Sequence, residues 1–99
     1  MINLLVGALA AAGIDATNEY PGYASVAVPG SADRVCIGTA NGYWGATIMT
    51  PDGEELTPPY LQVLFMPFAH GRASVDQIPA LMEAVTQYRD TVRVVRRFR

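Results

Sequence analysis

Lysine is absent from this 99-residue chain, and all seven of its positive charges are arginine. Cysteine and histidine occur once each, as Cys36 and His70, and charged residues of every kind make up only 16%, against about 25% for ordinary globular chains. Each shortage removes a class of function. One cysteine forbids a disulfide framework and a multi-cysteine metal site within the chain, so no metal is expected. A Cys36–His70 pair is arithmetically open, but nothing in the sequence brings the two together. His70, in "AHGR", reads as a solvated loop residue. No glycine-rich phosphate loop is present, since "GTANG" fits neither the dinucleotide fingerprint nor the P-loop. The adjacent acids Glu54 and Glu55 follow a turn and read as a solvated tip, whereas acid–base work would need burial. No catalytic residue and no cofactor are expected. The missing lysine fits the codon bias of a GC-rich genome.

Long apolar runs are missing too. The opening "MINLLVGALAAAGIDA" lacks the basic residues that begin an export signal, its first arginine being Arg34, and it is too short to cross a bilayer. A cytoplasmic home is expected, with membrane contact ranked last among the partners. The segment reads better as a helix. Ile2, Leu5, Val6 and Leu9 share one face, and Gly13 stands where a left-handed stop belongs, followed by Ile14 placed to touch Leu9.

What the chain has in quantity is apolar side chains, 51% of the total. A single domain of this length buries roughly 60–70% of its unfolded surface, so some of that material stays outside. Contiguous exposed apolar surface marks partners, and self-association, as a homodimer, is expected.

From about residue 15 to 66, turn signals separate short β-prone runs. "ASVAV" sets Ala24, Val26 and Val28 on one face, and "RVCIGTA" follows the turn at 29–33, with Cys36 a small buried hydrophobe on a strand. "NG" at 41–42 signals a hairpin. Beyond it Trp44, Ala46 and Ile48 face the core, leaving Tyr43 exposed and free to stack or anchor an interface. "LQVLFM" (61–66) is apolar on both faces and reads as a doubly buried strand, or else as a coil crossing the core. A strand of that kind in a helix-covered sheet would need a partner over its second face. A long helix then begins, with Asp76 as N-cap and Pro79 in its first turn. Ile78, Leu81, Val85, Tyr88, Val92 and Val95 form its stripe, and a break near Arg89–Asp90 with a last strand is the competing reading. The fold class is α+β: α-β-β-β(-β)-α, an antiparallel meander with both terminal helices packed on one face.

Charge is distributed unevenly. Residues 1–88 carry eight carboxylates and two arginines, a net of −6, while residues 89–99 carry five arginines and Asp90, a net of +4. On a helical wheel Arg89, Arg93 and Arg97 form a row beside the apolar stripe, with Arg96 close by. Their mutual repulsion, about 0.2–0.5 kcal/mol per pair, is offset by about 0.3–1 kcal/mol each from the helix dipole. The tail therefore needs no ligand to exist. The candidate binding set is Arg89, Arg93, Arg96, Arg97 and Arg99 with Phe98 and Tyr43. A protein's acidic surface ranks first as partner, including the body of a second copy. Nucleic acid, met by the same arginines, is the alternative, and the acidic body works against it. The element order matches double-stranded-RNA-binding domains, but their second helix starts basic, and "SVDQIPALME" is acidic.

The string "EYPGYASVAVP…IGTANGYWGATIMTPDGE" resembles a group of small actinobacterial proteins of unassigned function, in which an alanine-rich helix precedes a "YPGY…VP…GTANG.WG" core. The likeness covers residues 4–55 and fades after Pro58. It implies a cytoplasmic home and a GC-rich genome, and no activity.

Overall fold

A computed structural model describes residues 1–18 and 22–97, with the backbone alone for 93–97. Helix α1 spans Ile2–Ala11, with Leu5 and Leu9 fully buried. It ends as its sequence predicts. Gly13 takes φ 80°, its N–H donates to Ala10 O at 3.0 Å, and the Ile14 N–H reaches back to Leu9 O at 3.0 Å. Those two bonds close a Schellman stop, and buried Ile14 supplies its apolar contact.

Five antiparallel strands follow as a meander in sequence order: β1 Ala16–Thr17, β2 Tyr23–Ala27, β3 Arg34–Ala40, β4 Tyr43–Met49 and β5 Glu55–Leu56. Asn41 and Gly42 both have positive φ, 56° and 86°, the twist a two-residue hairpin demands. They set the β3–β4 register at Ala40↔Tyr43 through Arg34↔Met49. Each edge strand is only two residues long, which leaves little template for a foreign strand. Alternation sends Ala24, Val26, Val35, Ile37, Trp44 and Ile48 into the core with α1 and the helices that follow.

Residues 61–66 are not a strand. Helix α2 spans Pro59–Phe65 and runs into a 3-10 turn at Met66–His70. Pro59 opens the helix at a position whose N–H has no partner in any case, and Leu61 and Phe65, one turn apart, face the core. A six-residue apolar run carries too little periodicity to separate strand from helix. With the doubly buried strand goes the argument for a partner that rested on it. The outer side of the same segment leaves Val63 58% and Met66 57% exposed.

The N-cap of the last helix is Ser74 rather than Asp76. Gln77 donates its N–H to the Ser74 side chain, and the Gln77 side chain accepts the Ser74 N–H at 3.0 Å, a reciprocal box that satisfies two otherwise unpaired donors. A 3-10 turn at Val75–Gln77 leads into α3, Ile78–Arg97. Leu81, Ala84 and Val85 are buried, while Ile78, Tyr88 and Val92 pack at the margin of the core. The helix is continuous, so among the described residues neither the break at Arg89–Asp90 nor a last strand occurs. Tyr60 ties α2 to α3 by stacking on Tyr88, centroids 6.2 Å apart, and by a 3.2 Å hydroxyl contact with Thr91. Among the described residues no helix is long and apolar enough to cross a membrane.

Candidate functional site

The sheet face turned away from the helices holds a group of polar side chains. Register alone assembles it. The row Thr17–Ser25–Cys36–Thr47 crosses four strands, and the row Ala27–Arg34–Met49–Glu55 lies beside it. On the other side, Tyr23 pairs with Gly38 and Gly38 with Gly45. Two neighbouring glycines leave the sheet without side chains there, and the Tyr23 side chain covers Gly38.

Arg34 organises the centre. Its Nε–H donates to Ser25 Oγ and its Nη2 to the Ser25 carbonyl at 2.9 Å. Ser25 is only 1% exposed although it points away from the core. A buried hydroxyl without a partner is costly, and the guanidinium removes that cost while being fixed by it. Cys36, next in the row, is also buried. Burial pushes its thiol pKa up; the Ser25 hydrogen bond and the Arg34 charge pull the other way, and Glu55 adds to the rise. The thiol is therefore held protonated and is a weak nucleophile.

Around these residues lie two adjoining depressions. One, ≈ 240 Å³, is lined by Arg34, Tyr23, Ala32, Met49 and the turn residues Pro51 and Gly53. The other, ≈ 310 Å³, lies over Gly38 and Gly45 and reaches Glu55. Tyr23, Cys36 and Met49 are common to both.

The residues expected from sequence to bind fall elsewhere. Tyr43 is half-buried on this same sheet face, at the hairpin end, opposite Ala40. Arg89 is half-buried as well, beside Val28, Pro29 and Tyr88 in a crevice between α3 and the sheet, with its Nε 3.8 Å from Asp90 Oδ1. It leans on the body. The last two turns of α3 carry Arg93, Arg96 and Arg97, while Phe98 and Arg99 lie outside the described residues. His70 is exposed at the end of the 3-10 turn. Among the described residues no group of three His, Cys, Asp or Glu is placed to hold a metal.

Sequence reasoning missed Arg34, Ser25 and Met49. The signal was partial: Arg34, Cys36 and Gly38 alternate with the apolar Val35 and Ile37, which marks an outward face but not its neighbours. No family model, no curated protein and no solved structure matches this chain.

Proposed function

We propose that the chain is a small non-catalytic protein-interaction module that self-associates, with the arginine-rich end of α3 meeting the acidic surface of a second copy. One observation carries this reading. Helix α3 runs unbroken to Arg97, so the helix that packs Leu81 and Val85 into the core also carries Arg93, Arg96 and Arg97. The β4–β5 turn offers the matching charge. Asp52, Glu54 and Glu55 are exposed there. Thr50 stiffens the turn by accepting the Gly53 N–H at 2.9 Å on its carbonyl and the Glu54 N–H at 3.0 Å on its hydroxyl. Exposed Leu4, Val63 and Met66 supply apolar surface that association would cover.

Light scattering at low and high salt tests it. The full chain is expected to have the mass of an oligomer at low salt and to lose mass as salt rises, because exposed charge pairs are screened within about 10 Å at 0.1 M. A chain ending at Val92 is expected to be monomeric in both. A full chain that is monomeric at low salt overturns the reading. If its mass is unchanged by truncation while a salt-sensitive shift of duplex DNA or RNA disappears, the arginines serve nucleic acid instead.

A further inference from the structure

We infer that the depression beside Arg34 is a binding site for a small organic carboxylate with an apolar body. Arginine carries five N–H donors in a planar fork. Here the Nε–H and one Nη2 hydrogen are committed to Ser25, so three donors remain at the outer end of the fork. That end matches the two oxygens of a carboxylate. The group is already fixed in place by Ser25, so a ligand meets an oriented clamp and little side-chain freedom is lost on binding. Among the described residues no carboxylate lies within ion-pairing distance of Arg34, the only such pair being Arg89–Asp90.

The walls set the rest of the ligand. Tyr23, Ala32, Met49 and Pro51 line the same ≈ 240 Å³ space, which suits a ring or short alkyl group. Glu55 stands in Arg34's cross-strand row with Met49 between them, about 10 Å away by strand spacing. It disfavours a doubly charged anion such as phosphate and leaves room for a single carboxylate pointed at Arg34. This site does not use the α3 terminus, although Pro51 and Gly53 on its rim belong to the β4–β5 turn of the proposed self-contact.

Benzoate is the probe, titrated into the full chain at constant ionic strength and followed by amide ¹H–¹⁵N NMR. Saturable shifts are expected at Tyr23, Arg34, Met49 and Gly53, with a Kd on the order of 10 mM, the affinity that the ligand efficiency of drug-sized compounds gives for a molecule of that size. Arg34→Gln is expected to weaken binding about tenfold or more by removing the charge-assisted pair. Because that variant also disturbs Ser25, Ala32→Glu provides the second arm. It keeps Arg34 and supplies a competing carboxylate from an exposed rim position, so it too is expected to weaken benzoate. Absence of saturation in the unmodified chain overturns the site, as does unchanged affinity in Ala32→Glu. Inorganic phosphate producing the same shifts at lower concentration overturns the carboxylate assignment.

Discussion

The indole N–H of Trp44 donates to the carbonyl oxygen of Ser74 at 3.3 Å. Trp44 lies on β4, and Ser74 is the residue whose capping box starts the path into α3. One hydrogen bond therefore joins the hairpin end of the sheet to the head of the longest described helix, 30 residues along the chain.

Trp44 is buried to 1% exposure, so its removal is expected to be among the most damaging single changes. Trp44→Ala is expected to cost about 3–5 kcal/mol and to leave the chain largely unfolded. Trp44→Phe keeps most of the packing and loses the donor, at roughly 1–3 kcal/mol for the unpaired carbonyl and the lost volume. The midpoint of urea unfolding measures both.

The paired glycines of the outer sheet face are expected to respond oppositely. A Cβ on Gly38 would lie 2.8 Å from the Gly22 carbonyl oxygen and 3.3 Å from the Tyr23 Cβ, both held by backbone. At Gly45 a Cβ meets nothing within 4 Å. Gly38→Ala is expected to destabilise by roughly 1–3 kcal/mol through this overpacking. Gly45→Ala is expected to be neutral or to stabilise slightly, since glycine is the poorer residue inside a strand. Thermal unfolding of the two variants, side by side, separates the local clash from any general intolerance of the sheet.

How far the sequence announced this architecture depends on how local each signal was. Gly13 with Ile14, and Asn41 with Gly42, act through their own backbone angles and nearest hydrogen bonds, and both fold as read. The segment Pro58–Met66 is ambiguous for a physical reason: a short, mostly apolar run fills either period, and Pro59 suits the first turn of a helix as well as an edge or a break in a sheet. At Ser74 the sequence carries the box with Gln77, while Asp76 as N-cap would equally place Pro79 in the first turn. The Arg34 site was illegible beyond its alternation. Tyr23, Arg34 and Met49 come from three strands, and their meeting depends on register that two separate turns impose.

Cys36 gives the chain a specific alkaline sensitivity. Its thiol pKa is raised above the ordinary 9.0 in the folded state, so between the unfolded and folded values the native chain holds a proton that the unfolded chain has lost. The associated stability is fully present below pH 9.0 and is lost as pH rises through the folded value, with a slope of at most about 1.4 kcal/mol per pH unit. Cys36→Ala is expected to lack this component. Subtracting its stability from that of the parent at each pH isolates the thiol's contribution. The difference should decline only above the ordinary thiol value. A difference that stays flat into strong alkali would mean the thiol is solvated. Native Cys36 is likewise expected to react slowly with a thiol reagent until the chain unfolds.

A charge exchange between the α3 terminus and the β4–β5 turn probes the proposed contact more sharply than truncation does. Asp52→Arg with Glu54→Arg reverses the turn while sparing Glu55, which borders the depression near Arg34. Arg93→Glu with Arg97→Glu reverses the helix end. Exposed pairs contribute about 0.2–1 kcal/mol each, so either reversal, by turning attraction into repulsion at two positions, is expected to weaken self-association roughly 10- to 100-fold at low salt. Combining all four substitutions in one chain restores opposite signs across the contact and is expected to recover most of the loss. In 1 M salt, where screening shortens to about 3 Å, the parent, both reversals and the combination should converge. Recovery would require that these two regions meet; if the combination associates no better than either half, the arginines face some other acidic surface, and the β4–β5 turn drops out of the assembly.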